Sequence, residues 1–124
     1  MDMDTNVLVV DDFSTMRRIL KKALQTIGYN NFIEAEDGKD AIEKLKHDDV
    51  GLIFCDWNMP NMTGLDFLKH VRSDNKLKDI PFIMVTAEGQ KANVIAAVDA
   101  GVTNYIIKPF SADTVKEKLN KVLK

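Results

Sequence analysis

Five side chains able to do chemistry follow short apolar runs of this sequence. Asp11 and Asp12 come after residues 7–10, Asp56 after 52–55, Thr86 after 82–85, and Lys108 after 105–107. If these runs are parallel strands, their carboxyl ends meet at one sheet edge, where open α/β sheets bind ligands. Taken singly, each residue is more simply a helix cap or a solvated charge. Their recurrence after four separate runs favours one common site.

The chemistry that these residues suggest is phosphoryl transfer assisted by a metal ion. Three neighbouring carboxylates repel one another and raise one another's pKa unless a cation shares the site, and oxygen ligands of this kind suit Mg²⁺. One carboxylate can then attack an activated phosphoryl group and form an aspartyl phosphate, and Asp56, central in the sheet order, is our candidate. Lys108 would pair with a phosphoryl oxygen, and the Thr86 hydroxyl would donate a hydrogen bond to another.

The elements that must position these residues alternate along the chain. Strands are predicted at 7–10, 32–35, 52–55, 82–85 and 105–107, and a helix between the first two is marked by apolar residues at helical spacing and ended by Gly28. That first helix carries Met16, Ile19, Leu20, Ala23, Leu24 and Ile27; weaker faces follow at Ala41, Ile42 and Leu45, at Leu65, Leu68 and Val71, at Val94, Ile95 and Val98, and at Val115, Leu119, Val122 and Leu123. Strands separated by helices pair in parallel through right-handed crossovers, which predicts a doubly wound α/β fold.

Composition restricts the class of protein. With 124 residues and 45% hydrophobic residues, the chain fits one domain over 1–124. A net charge of -2 with interspersed signs disfavours nucleic-acid binding. Without an apolar leader or a run of roughly 18 apolar residues, we expect a soluble cytoplasmic protein with no membrane contact. The one cysteine, Cys55, is interpreted as a buried core residue, and His47 and His70 fall in predicted helices away from the site.

The order of these motifs resembles the receiver domains of response regulators over nearly the whole chain. The landmarks are Val9-Val10-Asp11-Asp12, Cys55-Asp56-Trp57-Asn58-Met59-Pro60, Thr86-Ala87 and Lys108-Pro109-Phe110. Residues 12–18, 56–60 and 86–88 look most like the chemotaxis branch of that family. The resemblance implies the flavodoxin-like strand order 2-1-3-4-5, a five-stranded parallel sheet, and a cis Lys108–Pro109 peptide.

The resemblance also implies roles for the site residues. Asp12, Asp56 and the backbone carbonyl of Asn58 would bind one Mg²⁺ directly, with Asp11 acting through water. Asp56 would accept a phosphoryl group from a chemotaxis histidine kinase. Thr86 would then move toward Asp56, and the ring of Tyr105 would turn into the vacated space, although without the resemblance Tyr105 is an ordinary strand aromatic.

The expected output is binding to the flagellar motor switch protein, because the chain offers no output domain beyond the receiver. In relatives the partner face joins helix 4, strand 5 and helix 5, and here it would include Trp57, Glu88, Ile107, Phe110, Lys118 and Lys121. The lysines are more simply interpreted as a solvated basic helix face. We expect a monomer, which a separate phosphatase could dephosphorylate. The chain would not be an enzyme, beyond assisting its own phosphorylation and slow dephosphorylation.

Three alternatives keep parts of this chemistry. A stand-alone receiver of another two-component pathway would differ only in its partners. A Mg²⁺-dependent phosphohydrolase with an aspartyl nucleophile usually has an Asp-x-Asp pair and a substrate cap, whereas this chain has Asp56-Trp57-Asn58 and is short. A phosphorylation-independent pseudo-receiver typically lacks one of the acids or the lysine, and all of them are present here.

Overall fold

The computed structural model describes residues 3–87 and 91–122, in which five strands and five helices alternate. The strands are β1 (Asn6–Val10), β2 (Asn31–Ala35), β3 (Leu52–Asp56), β4 (Phe82–Thr86) and β5 (Asn104–Ile107). The helices are α1 (Ser14–Ile27), α2 (Gly38–His47), α3 (Gly64–Ser73), α4 (Lys91–Asp99) and α5 (Ala112–Val122). Each predicted strand is confirmed to within one residue at either end.

All neighbouring strands pair in parallel, in the order β2-β1-β3-β4-β5. The chain reverses its direction of travel across the sheet after β2, so that β1 and β3 become neighbours. The doubly wound, flavodoxin-like architecture is therefore confirmed. A crevice forms at the carboxyl ends of strands on either side of such a reversal, which is where β1 and β3 end in this protein.

Apolar side chains cover both faces of the sheet. Alternate strand residues point to opposite faces, so Val7, Val9, Phe54 and Val85 pack with α1 and α5, whereas the residues between them pack with α2 and α3. Strands β3 and β4 are buried at every position, as expected of central parallel strands. Within the described part of the chain, none of the helices is long and apolar enough to cross a membrane.

Three apolar residues that helical spacing assigns to packed faces are exposed instead. Ile19 is 47% exposed, Ile95 50% and Val98 59%. Among the α4 side chains that the structure describes, those of residues 93–99, Ala97 is buried and Val94 is half-buried, so this helix covers the core with a narrow stripe. The side chain of Val122, and Leu123 altogether, lie outside the described residues.

Arg72 forms hydrogen bonds along the edge of the sheet where the amino-terminal ends of β4 and β5 lie. Its Nε donates to the carbonyl of Gly101 at 2.7 Å, and its Nη1 donates to the carbonyls of Ile80 and Lys78 at 2.7 and 3.0 Å. Its Nη2 reaches Thr103 Oγ1 at 3.1 Å, and this hydroxyl also accepts from the amide of Phe82. One guanidinium therefore joins α3 to the connections that enter β4 and β5.

Candidate metal and phosphoryl site

Three carboxylates converge where β1 and β3 end. Asp11 and Asp12 follow β1, Asp56 closes β3, and one oxygen from each lies within 4.8 Å of the others. Asp11 is 5% exposed and Asp56 6% exposed, although both are ionisable. The convergence predicted from the strand ends is thus present in the structure.

Lys108 bridges two of these acids. Its Nζ lies 3.3 Å from Oδ2 of Asp11 and 3.2 Å from Oδ1 of Asp56. The lysine follows β5, and its backbone amide donates to the carbonyl of Thr86 at 2.8 Å. The peptide between Lys108 and Pro109 is cis, as the resemblance implied. A cation is therefore fixed at the centre of the acidic site.

Burial raises the pKa of Asp56 above its ordinary value. The positive charge of Lys108 lowers this pKa, while the negative charge of Asp11 raises it further, and desolvation is the largest of these effects. Oδ1 of Asp56 also accepts a hydrogen bond from the Trp57 amide at 2.9 Å. The carboxylate is thus held in one orientation, but its charge is only partly compensated by the protein.

The donor set fits a Mg²⁺ ion. Among the described residues, Oδ1 of Asp12 is a buried side-chain oxygen without a hydrogen-bond partner, which is costly unless a ligand completes it. The surrounding donors are carboxylate oxygens, the ligand type that Mg²⁺ prefers. Asn58, whose carbonyl was predicted as a further ligand, lies two residues beyond Asp56 in the β3–α3 loop, and its side chain is exposed.

A second layer of charge that the sequence did not reveal supports the acid pair. Nη1 of Arg17 donates to the backbone carbonyl of Asp11 at 2.6 Å, and its Nε pairs with Glu34 at 3.0 Å. Lys21 also pairs with Glu34, at 3.0 Å. Burial would raise the pKa of Glu34, but the hydrogen bonds from Lys21 and Arg17 outweigh it and hold the pKa below its usual value. The contacts of Arg17 and Lys21 with Glu34 join α1 to β2. They therefore become visible only once the position of β2 in the sheet is known.

Gly64 shapes the turn that leaves β3. Its amide donates to the carbonyl of Trp57 at 2.9 Å, which closes the β3–α3 loop. A Cβ atom at Gly64 would overlap the backbone carbonyl oxygen of Asp56 and would lie 3.0 Å from Cα of Trp57. A residue without a side chain is therefore required here for α3 to begin so close to β3.

Thr86 and Tyr105 lie on either side of one small cleft. Thr86 ends β4 and is 5% exposed. The cleft is lined by Trp57, Met84, Thr86, Asn93, Val94, Ala97 and Tyr105. The Tyr105 ring is half-buried, and Nζ of Lys118 lies 5.1 Å from its centroid. The two predicted switch residues thus share a space between β4, β5 and α4.

The predicted partner face is only partly continuous. Ile107 is 45% exposed, and Lys121 is exposed and pairs with Glu117 at 3.6 Å. Phe110, in contrast, packs against the α1–α5 side of the core and lines a small cavity next to Asp11 and Asp56. Trp57 packs partly against the other core, and Glu88 lies outside the described residues. His47 and His70 lie on α2 and α3, and neither belongs to the acidic cluster.

Comparisons with known proteins agree with this geometry. Residues 7–120 match the family model of the response regulator receiver domain. The chain is 56% identical over 118 residues to chemotaxis protein CheY1 of Helicobacter pylori, covering 94% of this chain and 95% of that protein. It is 49% identical over 122 residues to chemotaxis protein CheY-3 of Vibrio cholerae, covering 98% and 94%. The solved structure of CheY4 of Vibrio cholerae matches with a TM-score of 0.88 and 34% identity, covering 97% of this chain and 99% of that one. The chain belongs to the response regulator receiver family.

Proposed function

We propose that this receiver accepts a phosphoryl group on Asp56 and, when phosphorylated, binds a partner that carries the signal onward. The observation that supports this proposal is the single Lys108 ammonium group within 3.3 Å of both Asp11 and Asp56, beside the unsatisfied oxygen of Asp12. A structural ion pair needs one acid per lysine. Here one lysine pairs with two acids and a third acid lies beside them, which leaves negative charge that a metal ion can offset and a carboxylate that can attack phosphorus.

Asp56 acts as the nucleophile in this proposal. Because its Oδ1 accepts from Trp57 and Lys108, Oδ2 is the oxygen we assign to the attack on phosphorus. With a phosphohistidine donor, the phosphorus–oxygen bond to Asp56 forms as the phosphorus–nitrogen bond breaks, and the imidazole leaves with the bonding electron pair. Lys108 pairs with a phosphoryl oxygen, and Thr86, at the next strand end, donates its hydroxyl to another.

The metal ligands in this proposal are Asp11, Asp12, Asp56 and the carbonyl of Asn58, with Asp11 acting through water. When bound, Mg²⁺ would offset the charge shared by the attacking carboxylate and the incoming phosphoryl group. The protein's own part is to hold these oxygens in place before the donor arrives. Arg17 contributes by fixing the carbonyl of Asp11.

Thr86 and Tyr105 provide a route from the site to the surface. Movement of Thr86 toward a phosphorylated Asp56 would open the cleft that both residues line, and the Tyr105 ring would turn inward from beneath Lys118. A tenfold preference of a partner for this state requires about 1.4 kcal/mol, which one buried aromatic can supply.

We assign the pathway from the chemotaxis proteins that the chain resembles. A chemotaxis histidine kinase would supply the phosphoryl group, and the phosphorylated receiver would bind the flagellar motor switch as a cytoplasmic monomer. Receivers of this kind are signalling proteins rather than classical enzymes. Output by partner binding also requires no attached output domain.

The test is a titration with the N-terminal peptide of a flagellar switch protein, with and without Mg²⁺ and a small acyl phosphate. Trp57 fluorescence reports occupancy of the neighbouring Asp56, and Asp56→Asn is the matched control. Tighter peptide binding only with donor and Mg²⁺, and only in the wild type, is expected. Occupancy without tighter binding would reassign the partner, and no occupancy would refute phosphoryl acceptance.

A further inference from the structure

The β3–α3 loop, residues 57–63, is held at two points of different kinds. At its base, Gly64 donates to the carbonyl of Trp57, and Trp57 donates to Asp56, so this end belongs to the site itself. At its tip, the loop turns through Asn61, whose φ of 69° places it in the left-handed region. Asn58, a proposed metal ligand, lies between the two points.

The tip is bound to the start of α2. Nδ2 of Asn61 donates to Oδ2 of Asp37 at 3.0 Å, and Oδ1 of the same carboxylate accepts from the Asp40 amide at 2.8 Å. Asp37 is 9% exposed. Both oxygens of a nearly buried carboxylate are therefore used, one to cap a helix and the other to hold the loop.

Shape reinforces this contact. Met62, next to Asn61, packs against the α2–α3 side of the core and lies directly over Gly38, the first residue of α2. A Cβ atom at Gly38 would lie 2.7 Å from Sδ of Met62 and 2.9 Å from its Cβ. The loop thus approaches the helix as closely as a glycine allows.

We propose that Asp37 and Asn61 form a latch that sets the Mg²⁺ affinity of the site by holding the β3–α3 loop, and Asn58 with it, beside the three acids. The inference rests on the proposed metal site, and it makes Asp37 and Asn61 positioning residues that do not touch the ion. Without the latch, the loop keeps its base but its tip is released. Part of the binding free energy is then spent on ordering the carbonyl ligand.

Asn61→Gly is the primary variant, because glycine adopts the left-handed conformation readily, so that the hydrogen bond is lost without backbone strain. Calorimetric titration with Mg²⁺ alone should show affinity weakened about fivefold, the size expected for the net contribution of one typical hydrogen bond. The matched control is Asn75→Gly, an exposed asparagine beyond α3 at the opposite edge of the sheet. Unchanged affinity in Asn61→Gly would overturn the latch.

The exchanged pair Asp37→Asn with Asn61→Asp separates positioning from general stability. An asparagine at 37 still caps α2 and can donate to a carboxylate at 61, and the net charge is unchanged. We expect its Mg²⁺ affinity to return to within about twofold of the wild type. Affinity as weak as that of Asn61→Gly would overturn the latch, whereas a wild type that does not bind Mg²⁺ would overturn the metal site itself.

Discussion

Asp56 is a carboxylate whose position in the protein opposes its own charge. It is 6% exposed, its pKa is raised first by desolvation, and Lys108 compensates it while also pairing with Asp11. Such a group favours a ligand that brings positive charge. The reactivity proposed for Asp56 and a cost in stability for the metal-free protein therefore have the same physical cause.

Replacing Asp56 with Asn should abolish phosphoryl uptake and stabilise the metal-free protein at pH 7 by about 1 kcal/mol. The pKa of Asp56 is higher in the folded protein than in the unfolded chain. The wild type therefore loses stability as the pH rises from the unfolded-state pKa through the folded-state pKa. The advantage of Asn should therefore shrink as the pH falls toward 3.8, the ordinary pKa of an aspartate side chain. Urea unfolding at several pH values in EDTA measures this, and an advantage that is constant with pH would contradict it.

Replacing Lys108 with Arg should leave phosphoryl uptake but weaken partner binding by tenfold or so, equivalent to about 1.4 kcal/mol. A planar guanidinium cannot reproduce the compact ammonium that reaches Asp11 and Asp56 together. Labelling with a radioactive acyl phosphate, followed by peptide titration, separates the two effects. Normal peptide binding by the labelled variant would count against the role given to Lys108.

At the scale of elements, Arg72, a residue of α3, fixes the segments that lead into β4 and β5. Its guanidinium contacts three backbone carbonyls and Thr103, and burial lowers its pKa, which Asp79 partly offsets. Five donors in a fixed plane suit this arrangement, and a lysine could satisfy only one or two of the acceptors. The entry to β5, and so the placement of Tyr105, depends on this residue.

Arg72→Lys should lower the free energy of unfolding by about 2 kcal/mol, since buried acceptors lose their partners. Mg²⁺ affinity should change little, because Arg72 lies at the edge opposite the acids. Denaturant unfolding measures the first effect and calorimetry the second, with the exposed Arg18→Lys as control. Equal stability of the two variants would show that the contacts of Arg72 are not stabilising.

The elements themselves were largely predictable, because buried strands and one strongly periodic helix leave clear signals. Gly28, with a φ of 126°, ends α1 as its sequence position indicated. Contacts between elements were not predictable in the same way. Arg72 reaches Gly101 and Thr103 across 29 and 31 residues, and no spacing rule joins such positions.

Across the whole molecule, the edge that carries the three acids and the edge that Arg72 contacts lie at opposite ends of the same strands. The site residues at strand ends were predictable because parallel topology brings carboxyl ends together, and Asp11, Asp12, Asp56, Thr86 and Lys108 all follow this rule. Arg17, Glu34 and the Asp37–Asn61 pair were missed, since each depends on neighbours in space that are distant in sequence. These contacts around the acids are therefore visible only in the folded structure.

Mg²⁺ should stabilise the whole domain, because a ligand that binds only the folded state adds about 2.7 kcal/mol at a hundredfold excess over Kd. Asp12→Ala should remove this gain and phosphoryl uptake together. Asp99→Ala, an exposed acid at the end of α4, removes the same charge and should keep the gain. Thermal unfolding with and without Mg²⁺ measures both, and a gain retained in Asp12→Ala would exclude Asp12 as a ligand.

Gly64 finally limits how the protein can vary. Pro60, in the neighbouring β3–α3 loop, has an exposed side chain, so we expect this position to accept other side chains. Gly64 cannot, since any side chain would push against the carbonyl oxygen of Asp56. Two positions four residues apart therefore differ in mutational tolerance, and the difference comes from whether a Cβ atom meets solvent or the carbonyl oxygen of Asp56.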